Sequence, residues 1–110
     1  MTASLHQELP PVALAIDGVA FDRYHYDAVA DTLCLHTGPA GWATDFDETP
    51  EDHRLRFGAD GMLLSLTILD ARFTLDRDGA IGVTLHAEGP TVQLSRALVE
   101  PLLRETLRYA

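Results

Sequence analysis

The stretch Tyr26-Asp27-Ala28-Val29-Ala30-Asp31-Thr32-Leu33-Cys34-Leu35 decides the fold, because a short turn here leads directly into an alternating strand. From Thr32 onward polar and apolar side chains alternate, which is the period of a strand with one buried face. The alanine-rich residues between Asp27 and Asp31 suit a single helical turn between two strands. As turn caps, both aspartates would accept hydrogen bonds from backbone N–H groups.

A second hairpin follows downstream. Leu55 and Phe57 alternate with arginines, and Ala59-Asp60-Gly61 then supplies the residues of a turn. Beyond this turn, three apolar residues alternate with Ser65 and Thr67. Strands joined by such a short turn must run antiparallel.

Together these two stretches resemble the DUF2283 family, a group of small bacterial domains of unknown function. The family's strand start, Tyr-Asp-x-x-x-Asp-x-Leu, is matched by residues 26–33. Its hairpin Phe-x-x-Asp-Gly is matched by residues 57–61, and its closing Ile-Leu-Asp-Ala by residues 68–71. Cys34 and Ala28 depart from the pattern, which commonly has an aromatic residue and often a proline there. The resemblance implies the fold of Phe21 to Ala71 and no activity.

An earlier hairpin precedes the family-like region. Leu14 and Ile16 alternate with alanines, and Asp17-Gly18 is a strong hairpin signal because both residues tolerate positive φ. The apolar positions on either side of Asp22-Arg23 are out of phase. We therefore expect a bulge or a break there.

Two segments after the central strand are predicted from weaker patterns. Trp42 to Phe46 suits a short strand that ends in an acidic loop over Asp45 to Asp52. Phe73 and Leu75 suit an extended path to a turn at Asp78-Gly79, with another alternating strand after it.

The end of the chain has helical spacing. Five apolar residues recur on one stripe: Leu98, Val99, Leu102, Leu103 and Leu107. Two starting points remain open: the helix begins at Ser95, a good N-cap, and kinks at Pro101, or it begins at Pro101 itself.

The predicted fold class is therefore α+β: a mostly antiparallel sheet of six to eight short, hairpin-connected strands with one C-terminal helix packed on it. We expect a single domain over residues 1–110. Residues 1–11 form a flexible arm, residues 21–71 the family-like β core, and residues 72–110 a β-strand and C-terminal helix extension.

Composition excludes several classes of protein. The chain has 110 residues and a net charge of −9, and this acidity argues against binding nucleic acid or anionic membranes. No apolar run is long enough to span a bilayer, and the N-terminus does not resemble a secretory signal. Cys34 is the only cysteine and can form no intrachain disulfide. A cytoplasmic location is expected.

Five acidic residues match the family-like pattern: Asp27, Asp31, Asp47, Glu48 and Asp70. If Asp27, Asp31 and Asp70 converged, they would offer the oxygen ligands that Mg²⁺ or Ca²⁺ prefers. In the alternative and preferred interpretation they cap turns and strand ends. We predict no cofactor.

Other candidate residues carry weaker signals. Cys34 and His36 lie at i and i+2 of one strand face, so a thiol with a histidine base is conceivable, but a lone cysteine in a strand is more often packing. The histidines show no metal-ligand spacing. Trp42 is either an anchor for a partner protein or a cover for one end of the core.

These observations favour a non-catalytic protein-interaction or regulatory module, since the surface is acidic and no catalytic constellation is evident. Uncovered strand edges also predict a homodimer. The alternative is a small metal-dependent hydrolase or ligand-binding domain that uses Asp27, Asp31 and Asp70.

Overall fold

The computed structural model describes residues 14–38 and 42–105, and within these the chain forms nine strands and two helices. The strands are β1 (Leu14–Ile16), β2 (Val19–Phe21), β3 (Arg23–Asp27), β4 (Thr32–His36), β5 (Asp45–Glu48), β6 (Arg54–Phe57), β7 (Leu63–Leu69), β8 (Ala80–Val83) and β9 (Val92–Ser95). The helices are α1 (Ala71–Asp78) and α2 (Arg96–Glu105). The arm predicted at residues 1–11 lies outside the described residues.

The predicted α+β class with antiparallel sheets and a C-terminal helix is confirmed, but the strands form three sheets. The family-like region builds a five-stranded antiparallel sheet in the order β3-β4-β7-β6-β5. Strands β1 and β2 form a separate hairpin, as do β8 and β9. Asp22 is the break between β2 and β3, which explains the change of phase at this point.

One face of the five-stranded sheet is the floor of the core. Leu33 and Leu35 of β4 and Leu66 and Ile68 of β7 are fully buried. The same core includes side chains from both hairpins and both helices: Leu14, Ile16, Phe21, Ala71, Leu75, Ile81, Val83, Leu94, Val99, Leu102 and Leu103. Both hairpins and both helices therefore contribute side chains to one apolar core.

Helix α1 corrects the prediction of an extended path to a turn at Asp78-Gly79. Ala71 and Leu75 are buried, whereas Phe73 between them is 59% exposed, so the i,i+4 spacing and not the alternation decides the structure. Gly79 ends the helix with φ 80°, and its N–H donates to the Leu75 carbonyl. This is the left-handed C-terminal cap that glycine favours.

Helix α2 begins immediately after β9, so the later of the two predicted starts is wrong. Pro101 lies inside the helix. Val99, Leu102 and Leu103 face the core, while Leu98 is 49% exposed. Among the described residues, neither helix has the length and apolar character needed to cross a membrane.

The segment predicted as a strand from Trp42 and an acidic loop from Asp45 is also corrected. The strand is β5, which lies in the acidic part of the segment and pairs with β6. A tight turn follows, in which the Asp52 N–H donates to the Thr49 carbonyl and Asp52 adopts φ 74°. Pairing with β6 thus outweighs the low strand propensity of aspartate.

Candidate functional site

Asp31 is the most connected polar side chain at the junction between the five-stranded sheet and α1. Its Oδ1 accepts hydrogen bonds from the Tyr26 hydroxyl and the Arg72 N–H, both at 2.7 Å, and its Oδ2 accepts from the Phe73 N–H at 3.0 Å. Its backbone carbonyl accepts from the Ala71 N–H at 3.1 Å. Asp31 thus caps the first turn of a helix that begins 40 residues later in the chain.

Asp70 occupies the N-cap position of α1 but makes no side-chain cap bond there. Its backbone is left-handed, with φ 54°, and Asp31 in the β3–β4 turn has the same φ. The carboxylate of Asp31 therefore supplies the acceptor that the local N-cap residue does not.

The Tyr26 side chain is nearly buried and is held as a hydrogen-bond donor. Burial, followed by the hydrogen bond to Asp31 and the negative charge of that carboxylate, raises the pKa of Tyr26 to about 12. At neutral pH the phenol therefore keeps its proton and stabilises the Asp31 carboxylate.

Asp27 caps its own turn. Its Oδ1 accepts hydrogen bonds from the Val29 N–H at 3.0 Å and the Ala30 N–H at 3.2 Å. Asp27 and Asp31 thus do what the capping interpretation predicts. Across residues 14–38 and 42–105, no three His, Cys, Asp or Glu side chains are grouped in a way that would hold a metal ion.

The face of the five-stranded sheet opposite the core carries polar side chains, and we call it the open face. Two cross-strand rows define it. The first row is Phe46, Arg56, Ser65, His36 and Arg23. The second row is Glu48, Arg54, Thr67, Cys34 and His25. Neighbours within a row lie on one face with Cβ atoms about 4.5–5.5 Å apart.

The open face concentrates positive charge in a chain of net charge −9. It carries three of the eight arginines and two histidines, against the carboxylates of Glu48 and Asp27. Burial, and then the charges of Arg23, His25 and Arg56, lower the pKa of His36 below its ordinary value. A groove of about 710 Å³ lies at the β5 end of the sheet, and its lining includes two carboxylates as well as two of these arginines: Phe46, Asp47, Glu48, Arg54, Leu55, Arg56 and Thr67.

Cys34 lies in the middle of the open face and is half-buried. Its Sγ is 3.9 Å from the Thr67 hydroxyl oxygen, and His25 is its cross-strand neighbour on β3. The predicted partner His36 shares its face, but the hydrogen-bond contact of the thiol is with Thr67. This contact supports the packing interpretation of Cys34.

Strand β5 is the edge of the sheet, and no described strand pairs with its outer side. The Thr49 N–H donates to the His53 carbonyl, so alternation along the ladder places the hydrogen-bonded positions at Asp47 and Asp45. The backbone groups of Phe46 and Glu48 then point outward. The Glu48 N–H is occupied by the Asp47 carboxylate at 2.8 Å, which leaves Phe46 as the open position.

Two exposed aromatic residues belong to β5 and to the residues shortly before it in sequence. Trp42 is 90% exposed, so it does not cover an end of the core, and Phe46 is 68% exposed. The guanidinium carbon of Arg56 lies 5.9 Å from the centroid of the Phe46 ring, at cation–π distance. The sequence singled out Trp42, but Phe46 was missed because its place on an edge strand depends on the pairing of β5 with β6.

The turn between β5 and β6 is held to β8 and to Thr84, the residue after β8, by polar groups that the sequence did not indicate: His53 and Thr84 are buried and Glu51 is half-buried. The Glu51 carboxylate accepts hydrogen bonds from the N–H and the hydroxyl of Thr84, at 3.1 and 2.6 Å. Burial raises the pKa of Glu51, but the hydrogen bonds from Thr84 and Thr49 outweigh it and the net pKa is lowered. The His53 Nε2 lies 2.9 Å from the Gly82 carbonyl oxygen, which fixes the proton on that nitrogen.

Comparisons of the chain with protein-family models, with curated proteins and with solved structures found no match. The resemblance to the DUF2283 family therefore stays a prediction from the quoted motifs.

Proposed function

We propose that the protein is a non-catalytic interaction module that binds an extended segment of a partner protein along β5. The observation that carries this proposal is the edge position of β5, which presents the outward backbone and the exposed ring of Phe46, with the exposed Trp42 shortly before the strand in sequence. An added strand gains affinity from main-chain hydrogen bonds and specificity from alternate side chains. Trp42 and Phe46 are the aromatic anchors that such an interface uses.

The charge of the edge favours a basic segment over a second copy of the same strand. Asp45, Asp47 and Glu48 place three carboxylates on four residues. In an antiparallel pair of two β5 strands with Phe46 opposite Phe46, Asp45 would face Asp47 of the other copy, and like charges directly opposite each other are destabilising. Lysine or arginine side chains at those positions would instead be attracted. Acidic edges also protect proteins from unwanted pairing.

The homodimer predicted from the sequence is a separate proposal. Because pairing through β5 is opposed by charge, a dimer would be supported by the apolar contact of exposed rings and not by a continuous sheet. The cytoplasmic location is proposed on the single free cysteine, Cys34, which suits a reducing compartment.

A non-catalytic role is supported by the use that the fold makes of its carboxylates. The oxygens of Asp27 and Asp31 accept backbone and phenol hydrogen bonds that hold the β3–β4 turn and α1. Replacing those bonds by metal ligation would remove the cap of α1. The hydrolase alternative thus gains no support from their geometry.

The proposal is tested by co-purification from the native cell with matched surface variants. The wild-type protein should retain a partner in stoichiometric amount, and Trp42→Ala should lose it. Val29→Ala is the control, since Val29 is 99% exposed but lies in the β3–β4 turn, away from β5 in the strand order. Equal retention by both variants, or no stoichiometric partner with the wild type, would contradict the proposal.

A further inference from the structure

The backbone at the β5 edge offers one free donor between residues 44 and 48, all of which the structure describes. The Thr44 N–H donates to the Phe57 carbonyl at 2.9 Å, and the Glu48 N–H is taken by the Asp47 carboxylate at 2.8 Å. Alternation along the ladder directs the N–H groups on either side of Phe46 at β6. An added strand therefore pairs its main chain at Phe46, and the segment that β5 can hold is short.

Two carboxylates flank Phe46 on the side of the sheet opposite its ring. Asp47 lies opposite Leu55, a buried core residue, and two positions along the same face Asp45 lies opposite Phe57. Both aspartates are exposed and, among the described residues, neither forms an ion pair. Because their cross-strand neighbours on β6 are apolar, the sheet itself supplies no cation to these carboxylates.

The ring of Phe46, on the open face, already has a cation beside it. The guanidinium carbon of Arg56 lies 5.9 Å from the ring centroid, yet the Phe46 side chain remains 68% exposed. A second cation directly opposite Phe46 would be repelled by Arg56, whereas an apolar or aromatic side chain would cover the exposed ring. The position opposite Phe46 in an added strand therefore suits an apolar residue.

We propose that β5 recognises a short basic–apolar–basic segment of a partner protein, added antiparallel with its apolar residue opposite Phe46. This inference rests on the proposed function and specifies the sequence that the partner carries. In this register the two basic residues lie opposite Asp45 and Asp47, in non-hydrogen-bonded pairs, where side chains approach most closely. The apolar residue exchanges both main-chain hydrogen bonds with Phe46 and packs against its ring.

The spacing of the basic residues matters as much as their number, because successive side chains of a strand point to opposite faces. Basic residues two positions from the apolar residue would lie on the open face. Of those two positions only one is opposite a carboxylate, Glu48, which already has Arg54 as its cross-strand neighbour on β6. A segment with the same composition and the wrong alternation should therefore bind less tightly.

The test is an NMR titration of the full chain with two capped peptides of identical composition. The first, Ser-Thr-Arg-Phe-Arg-Thr-Ser, has its arginines next to the phenylalanine, and the second, Ser-Arg-Thr-Phe-Thr-Arg-Ser, has them two positions away. The first peptide should shift the Phe46 amide signal and bind with a Kd about three- to tenfold lower than the second. Sodium chloride should reduce this preference, because it screens exposed ion pairs.

Two double variants separate the role of the β5 carboxylates from that of net charge. Asp45→Asn/Asp47→Asn should abolish the preference for the first peptide, while the amide oxygen introduced by the second substitution can still accept from the Glu48 N–H. Asp60→Asn/Glu88→Gln is the matched control, since it removes the same charge from two exposed positions outside β5 and should keep the preference.

The basic–apolar–basic segment is overturned if the wild type binds both peptides equally, if it binds neither at millimolar concentration, or if the control variant also loses the preference. Protection of the Phe46 amide that rises with protein concentration in the absence of peptide would assign the edge to a second copy of the chain and overturn it as well. A partner that still co-purifies through Trp42 after any of these results would leave the proposed function standing and remove only this segment.

Discussion

Replacement of Asp31 by alanine should destabilise the fold more than any other single change of an exposed or half-buried aspartate. The side chain accepts three hydrogen bonds, at 2.7, 2.7 and 3.0 Å, from the Tyr26 hydroxyl and from the first turn of α1. Loss of a helix cap costs about 0.5–2 kcal/mol. Loss of a hydrogen bond to a charged acceptor costs about 1.5–3 kcal/mol. The two terms together predict a loss of about 2–5 kcal/mol.

The variants Asp31→Asn and Tyr26→Phe separate the contribution of the helix cap from that of the hydrogen bond to the phenol. Asp31→Asn keeps one acceptor oxygen and caps well, so it should lose about 1–2 kcal/mol. Tyr26→Phe removes only the phenol donor. Because Tyr26 and Asp31 are in direct contact, their double-mutant cycle should show a coupling energy of at least about 0.5 kcal/mol. Asp27→Ala is the control, since its two bonds lie within one exposed turn, and it should cost about 0.5–1 kcal/mol.

The Tyr26–Asp31 pair also predicts how the free energy of unfolding changes at alkaline pH. The folded protein raises the pKa of Tyr26 from 10.0 to about 12 and so binds the phenol proton more tightly than the unfolded chain does. The contribution of the protonated Tyr26 to the free energy of unfolding is fully present below pH 10 and is lost as the pH rises towards 12. Each pKa unit is worth about 1.36 kcal/mol, so the loss amounts to about 2–3 kcal/mol. Asp31→Ala should reduce the rise in the Tyr26 pKa, because the hydrogen bond to Asp31 and the negative charge of that carboxylate are both lost.

Urea unfolding followed by circular dichroism measures the free energies, and the ultraviolet absorbance of tyrosinate measures the titration, with Tyr26→Phe identifying the residue. The reasoning is refuted if Asp31→Ala loses no more than Asp27→Ala, or if the Asp31–Tyr26 cycle shows no coupling.

Three further predictions concern other contacts. Glu51→Gln should lower the free energy of unfolding by about 1–2 kcal/mol, because it weakens the hydrogen bonds to Thr84. Since folding lowers the pKa of Glu51, the wild type should lose this contribution in acid-unfolding experiments as the pH falls below 4.5. Leu103→Ala should cost about 2–5 kcal/mol in urea unfolding, and Leu98→Ala less than about 1 kcal/mol, since only the first side chain is buried. Sedimentation at micromolar concentration should show the proposed homodimer, and a monomer at every concentration would remove it.

The two hairpins of the family-like region were predicted because their alternation and turn residues are local in sequence. The break at Asp22 was predicted for the same reason, because the alternation of apolar positions changes phase there. Helix α1 was missed because the side chain that caps it, Asp31, comes from a distant turn. Two local signals could have indicated it: Arg72 and Asp76 form an i,i+4 ion pair at 3.5 Å, and Gly79 is a helix-ending glycine.

The open face and the β5 edge depend on register between strands that are not adjacent in sequence. In the sequence, Arg54 and Arg56 indicate only the polar side of a hairpin. The pairing of β6 with β7 and of β7 with β4 is what brings them onto the same face as His36. Likewise, the hydrogen bonds from His53 to Gly82 of β8 and from Thr84 to Glu51 arise from tertiary packing, so sequence spacing alone could not reveal them.

The proposed role of β5 is tested most directly by amide hydrogen exchange at Phe46, with the protein alone and in complex with its co-purified partner. In the free protein the Phe46 N–H points outward and should exchange rapidly, whereas the Asp47 N–H, directed at β6, should be protected. Partner binding along β5 should protect the Phe46 amide and leave the amides of β4 unchanged. Rapid exchange at Phe46 in the complex, with new protection elsewhere, would contradict the account.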